Sequence, residues 1–458
     1  MCSCFTGTRE NAESTIPARL LKVDLQILRQ TLEEAHPGLY WYTSKKEMDS
    51  YLDSLEASID NPMEKLEFMK LLMPAIAKVR CGHTNLRFAE DISPDMLAKS
   101  RLFPLGVIVI NRKLYIRENP VDPAQTGFEI KSINNIATNE IINRIVDIIP
   151  ADGFSSSFKY HLLSTAVFQE GYALLYGEPD EFIVDAAGTD GNSVQLKLKS
   201  IPANDFIRGR RVENAGIDLK FEKDNTAIIT IRTFVISRSA FNSEIASVFE
   251  KIRNNNSTQL IVDVRNNGGG NNVNVTELFS YLSDKPFYHL RKTEVTGKTL
   301  THSRHITNYE EIANARSTLS ADGTYEVDDQ YPGRTLREPA SNAFNGKLIV
   351  LANGGTNSAA SEFVALVHGN KRGLIVGEET GGCYYGATGG RYLSLVLPNS
   401  TLRATIPMVR IYTAVPEDFK NQPKGRGTFP DHEVLLTRED LRSTADKMLE
   451  FALGLLRK

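Results

Sequence analysis

The segment Asn353-Gly354-Gly355-Thr356-Asn357-Ser358-Ala359-Ala360-Ser361-Glu362 lies between an apolar strand and an apolar helix, and its reading decides the fold. Upstream, Gly346-Lys347-Leu348-Ile349-Val350-Leu351 reads as a buried strand; downstream, Phe363, Val364, Leu366 and Val367 recur at helical spacing. Ser358 therefore falls at a predicted helix N-terminus, where the macrodipole and unpaired backbone N–H groups favour negative charge. That setting suits the oxyanion of acyl transfer and makes Ser358 a candidate nucleophile. Ser, Thr and Asn are also what helix N-caps prefer, so on this segment alone an ordinary cap is the favoured reading.

Two distant segments bear on the choice. Leu260-Ile261-Val262-Asp263-Val264-Arg265-Asn266-Asn267-Gly268-Gly269-Gly270 is an apolar run of parallel-sheet type ending in a glycine turn, with a helix predicted from about Val273 to Leu282. Its three glycines let backbone amides approach a ligand closely. The run fits neither G-x-x-x-x-G-K-[ST] nor G-x-G-x-x-G, so nucleotide phosphate is not its evident partner. Val79-Arg80-Cys81-Gly82-His83-Thr84-Asn85-Leu86-Arg87-Phe88 places an imidazole after a glycine at the end of a helical stretch. Alone, such a histidine is more often structural than catalytic.

Together these segments resemble the C-terminal processing (tail-specific) peptidase family of serine proteases. Its members carry D-x-R-x-N-x-G-G, then a Ser-Ala pair at a helix start, then V-G-E-x-T-G-G and a late P-D-x-x-V. Here these are Asp263 to Gly270, Ser358-Ala359, Val376-Gly377-Glu378-Glu379-Thr380-Gly381-Gly382 and Pro430-Asp431-His432-Glu433-Val434, in the family's order. The resemblance implies an α+β multidomain protein with an α/β core of the crotonase-like or ClpP-like type. No G-x-S-x-G elbow surrounds Ser358, which argues against an α/β-hydrolase.

The family divides over its general base. Tail-specific proteases proper use a lysine shortly after V-G-E-x-T, a position held here by Cys383. The branch similar to the tricorn protease core carries a G-H-[ST] segment, matched by Gly82-His83-Thr84, whose histidine is the base in proteolytic members. An imidazole, titrating near pH ~6.5, accepts a serine proton at neutral pH without a large shift. The resemblance thus implies Ser358 as nucleophile, His83 as base, and the backbone N–H groups of Gly269 and Ala359 as the oxyanion hole. Tricorn-like members place an orienting glutamate a few residues before the final P-D, where this chain has Lys424; Glu379 and Asp431 are the nearest motif-borne carboxylates that could take that part. No metal and no cofactor are expected: His36, His161, His289, His302, His305, His368 and His432 show no H-E-x-x-H or C-x-x-C pattern and read as structural or solvated.

At 458 residues the chain exceeds a single hydrophobic core, and 41% hydrophobic content supports buried cores. A net charge of -3 offers no basic footprint for nucleic acid, and no apolar run is long enough to span a membrane. Met1-Cys2-Ser3-Cys4-Phe5-Thr6-Gly7 has neither a basic n-region nor an apolar h-region. Two readings stand: a bacterial envelope or periplasmic protein written without its signal peptide, with an early cysteine where lipoproteins carry lipid, or a cytoplasmic protein with four free thiols.

Three domains are expected. Residues 1–98 form a helical domain carrying the G-H-T segment, with helical periodicity from about Pro17 to Val79 broken by His36-Pro37-Gly38-Leu39-Tyr40. Residues 99–205 resemble a PDZ domain, which captures extended chains by strand addition; the alternative is a generic β-sandwich insertion. Residues 206–458 form the catalytic core, interrupted by a polar excursion from about Ser283 to Asn342 that would cover the cleft. The function expected is a serine endopeptidase acting on peptides or unfolded protein tails. A noncatalytic binder of hydrophobic ligands or peptides on the same fold, and a small-molecule esterase or amidase, are the alternatives.

Overall fold

Three apolar runs, Gln259–Asp263, Lys347–Ala352 and Leu374–Gly377, make the parallel centre of a six-stranded sheet, with Val262 beside Val350 and Val350 beside Ile375. They read as unbroken Val/Ile/Leu runs because both faces are covered. On one face Leu260, Val262, Leu348, Val350 and Ile375 pack against helices Arg238–Asn254, Asn272–Ser280 and Ala359–Gly369; on the other, Ile261, Ile349, Leu351 and Val376 pack against helix Lys447–Leu456. The hairpin Ile217–Glu222/Thr226–Ile231 closes one edge and the short strand His432–Glu433 the other. In this computed structural model residues 15–89, 99–208, 216–296, 300–310, 317–319, 325–327, 331 and 333–457 are described.

A second sheet is antiparallel. The long strand Leu402–Thr413 pairs with Thr388–Val396, with Leu290–Val295 and with Asn85–Phe88. The expected excursion is therefore only partly irregular: Leu290–Val295 is a strand of this sheet, and Tyr325–Val327 and Ser317–Leu319 extend it. Glu311, Asp328, Asp329 and Pro332, which gave that segment its polar character, lie outside the described residues, as do Cys2 and Cys4.

The expected N-terminal helices are Ala18–Ala35, Lys45–Ala57 and Lys65–Lys78. They share one core with the second sheet, since Leu25, Leu28, Phe68 and Leu72 cluster with Leu393, Leu395, Ala404 and Ile406. The helical region is thus fastened to the second sheet through this shared core.

The central region has its own antiparallel sheet, in the order Gly106–Ile110, Lys113–Glu118, Glu129–Ile133, Glu181–Ala187, Ser193–Lys199. Asn111 and Arg112, at φ 51° and 60°, form the left-handed two-residue turn that matches the twist of a hairpin. Helix Thr138–Ile148 buries Ile141, Ile142 and Ile145. Two further helices, Ser157–Leu163 and Val167–Tyr176, were not legible, because a serine-rich start hides the spacing of Phe158, Leu163, Phe168 and Tyr172. Among the described residues no helix is long and apolar enough to cross a membrane.

Candidate active site

Loops at the carboxyl ends of the three parallel strands converge, the usual place for a site in such sheets. In the first, Arg265 pairs with Asp263 (2.6 Å) and Asp446 (2.7 Å), pinning the base of the glycine turn. Asn267, fully buried, accepts from Gly269 N–H at 2.9 Å and donates to Ile231 O at 2.9 Å. In the second, Thr356 Oγ1 donates to Val264 O (2.8 Å) and Asn357 N–H to Asn267 O (3.0 Å), locking the two loops together.

Ser358 stands at the N-cap position of helix Ala359–Gly369, yet its side chain makes no capping bond. Its backbone lies at φ 50°, ψ -130°, a region an L-residue occupies only at a cost of about 1–3 kcal/mol. The hydroxyl instead meets His83: Nε2 and Oγ are 3.1 Å apart. His83 follows helix Lys65–Lys78 through a tight turn, with Arg80 at φ 57°, and immediately precedes the strand Asn85–Phe88 that registers on Leu402–Thr405. Residues 275 apart in sequence are thus set by two different sheets.

The expected oxyanion donors differ in their commitments. No bond within the described residues engages Ala359 N–H, at the first turn of the helix, whereas Gly269 N–H is held by Asn267 Oδ1. Gly269 has another role: at φ 98°, a Cβ there would lie 2.7 Å from Ser358 Cβ and 2.9 Å from Ala359 N. Only glycine lets the turn approach the serine so closely.

Comparison with known proteins places the C-terminal region among peptidase-like sequences. Residues 225–434 match the family described as peptidase family S41. Over 213 residues it is 24% identical to the tail-specific protease of Haemophilus influenzae; the match covers 44% of this chain and 25% of that protein. The chain thus spans about a quarter of the length of this curated relative. Mature CPAF, at 16% identity, covers 96% of this chain and 97% of its own with a TM-score of 0.66. A peptidase structure from Parabacteroides merdae covers the same shares at 16% identity and a TM-score of 0.50. Both likenesses concern the fold.

Within the matched region the remaining sequence candidates have other places. Glu379 is ion-paired to Arg426 and accepts from Gly427 N–H at 2.9 Å. Asp431 accepts from Ile375 N–H at 2.7 Å, tying the P-D segment to the sheet. Both carboxylates are therefore engaged in holding loops. Lys424 is exposed. Cys383, at the lysine position of the other branch, is buried beside the Tyr42 hydroxyl (3.7 Å), and burial pushes its thiol well above the ordinary range. A neutral thiol in that place is no base at neutral pH.

Of two further residues beside the His83 turn, His36 reads from sequence as structural or solvated and Asp152 escapes the sequence reading. His36, 2% exposed, shares a hydrogen with Thr84 Oγ1 (2.9 Å) and accepts from Gly38 N–H through Nδ1. Burial lowers its pKa to about 3, so it is a neutral brace for the His83 turn. Asp152, 3% exposed, accepts from Gly82 N–H at 2.7 Å. No sequence motif singles out either.

Proposed function

We propose that this S41 protein is a serine endopeptidase in which Ser358 is the nucleophile and His83 the general base, acting on peptides or unfolded protein tails. The observation that carries the reading is the 3.1 Å contact of His83 Nε2 with a Ser358 hydroxyl that caps nothing and sits on strained backbone. A structural cap would have the opposite character: a bonded side chain and relaxed extended φ/ψ.

In the proposed cycle, Ser358 Oγ bonds to the scissile carbonyl carbon as His83 Nε2 takes its proton. The negative oxygen forms beside Ala359 N–H and the positive end of helix Ala359–Gly369. His83 then gives the proton to the leaving amine as the C–N bond breaks, and repeats the transfer with water to release Ser358. The neutral Cys383 thiol supports histidine over the residue at the alternative base position. The antiparallel sheet of residues 106–199, with its exposed hairpins, supports a PDZ-like docking role for an extended substrate.

Labelling the intact chain with a fluorophosphonate, followed by peptide mapping, tests the assignment. Label on Ser358, lost in His83→Ala and accompanied by cleavage of an unfolded polypeptide, is the expected result. Label elsewhere, or turnover undiminished in His83→Ala, would overturn it; hydrolysis of small esters without any peptide cleavage would select the esterase alternative.

A further inference from the structure

The described contacts leave the second nitrogen of the proposed base unserved: His83 Nδ1 is buried and has no hydrogen-bond partner. Asp152 presents the complementary deficiency. Its Oδ1 accepts from Gly82 N–H, while Oδ2 is buried and unpartnered. A carboxylate oxygen of Asp152, a ring nitrogen of His83 and Cys81 Sγ all lie within 4.8 Å of one another. Two orphaned buried polar atoms, one donor-capable and one acceptor-only, each cost free energy unless they meet.

We propose that Asp152 is the positioning carboxylate of His83. It holds the imidazole with Nδ1–H turned toward itself and Nε2 toward Ser358, and it stabilises the imidazolium that forms when Ser358 gives up its proton. The inference rests on the Ser358–His83 reading above. Hydrogen bonds of this kind are often long in the unliganded enzyme and tighten as charge develops.

The surroundings supply both a rigid mount and the right electrostatics. Gly153 N–H donates to Arg80 O at 2.9 Å, so the turn bearing Asp152 is clamped to the turn bearing His83 at both Arg80 and Gly82. Behind it, Phe154 N–H donates to Gly425 O at 2.6 Å, and a Cβ on Gly153 would lie 2.2 Å from that oxygen. Burial raises Asp152 and the positive charge on His83 lowers it, so carboxylate and imidazolium favour one another. The other titratable groups facing Asp152 are Cys81, Cys383, Tyr42, Tyr392 and Glu362. Burial pushes the two thiols and the two phenols upward, Cys81 to about 11, leaving them neutral; Glu362 is engaged by His289 Nε2 at 2.8 Å. Asp152 is then the anion available to the imidazole.

Asp152→Asn is the decisive variant, because an amide oxygen can still accept from Gly82 N–H while the charge is lost. We expect kcat on a peptide substrate to fall by about 10²–10⁴-fold with KM changed little, as when a triad carboxylate becomes an amide. The acid limb of the kcat/KM profile should also move to lower pH, since an imidazole without its anion is harder to protonate. Activity within about threefold of wild type, or a loss that merely tracks the folded fraction with an unmoved pH profile, overturns the proposal. Should Asp152→Asn not fold, Asp152→Glu takes its place: a retained acid limb with partial kcat supports the role, and inactivity in folded protein with an intact Gly82 turn refutes it. Ser358→Ala and His83→Ala run in parallel separate the two readings. If both are dead while Asp152→Asn is active, only Asp152 is misassigned; if either remains active, the underlying mechanism fails.

Discussion

Ser358 combines two properties that a helix cap does not need: a backbone at φ 50° and a hydroxyl aimed at an imidazole. Ser358→Ala should therefore abolish hydrolysis, by several orders of magnitude in kcat, while shifting the unfolding free energy by less than about 1 kcal/mol, because no cap bond is lost. Parallel kinetics and denaturant titration measure both; wild-type turnover would return the residue to a structural role. Cys383→Ala should keep most activity, since the buried neutral thiol has no part in proton transfer; an inactive but folded variant would shift the base assignment. His36 gives a pH prediction. Its pKa is lowered from 6.5 to about 3 on folding, so the unfolded chain takes up this proton first. Its contribution is intact above pH 6.5 and declines as pH falls toward the folded value, amounting to about 2–3 kcal/mol at pH 4.5. Thermal unfolding from pH 7 to 4.5 should show a shallower loss in His36→Gln than in wild type; identical slopes would contradict a buried neutral imidazole.

At the scale of elements, the site is built from turns that two glycine-rich loops allow to interpenetrate. Gly269, at φ 98°, is pressed against Ser358 and Asn357 O, so a methyl group there meets backbone as well as the nucleophile. Gly269→Ala should destabilise the fold by about 2 kcal/mol or more and remove activity, since the serine must move for the chain to fit. Calorimetry with active-site titration checks this; an active, fully stable variant would mean that the turn has slack the geometry does not show. The D-x-R-x-N-x-G-G motif is explained at the same scale. Asp263 and Arg265 brace the strand end, Asn267 orients the glycine turn, and the glycines make contact with Ser358 possible. The glycine amide expected to bind the oxyanion is instead occupied by Asn267, a side-chain bond that motif spacing does not disclose.

Across the whole molecule, the segment 151–161 of the central region is wedged into the catalytic core. Asp152 and Gly153 hold the His83 turn, while Ser157 and His161 abut Gly354 and Gly355, where added Cβ atoms would lie 2.5 Å from Ser157 O and 2.4 Å from His161 Nε2. Removing residues 103 to 200 outright would therefore dismantle the site. Substrate docking is better probed without deletion. If the central sheet captures chain ends, amidating the C-terminus of a long peptide should slow its cleavage, with little effect on a short chromogenic one that cannot reach both places. Equal rates for free and amidated long peptides would assign this region a purely supporting role.

Local chemistry determined much of this protein from sequence. The Val/Ile/Leu runs fixed the parallel strands because both their faces are buried, and helical spacing fixed the N-terminal helices. Ser358 and His83 stand out in sequence as candidates because each sits beside small residues in an ordered motif. The tertiary structure alone decided which groups meet. Whether Ser358 caps its helix or faces an imidazole depends on a contact spanning 275 residues. Glu379 and Asp431 carry the right chemistry, yet Arg426 and Ile375 N–H engage them. Asp152 belongs to no motif and reaches the His83 turn only because the central region folds back on the core. Periodicity and motif spacing report the fate of a residue within its own element; the pairing of charges across elements is set by how sheets and loops stack, which leaves no local trace in the sequence.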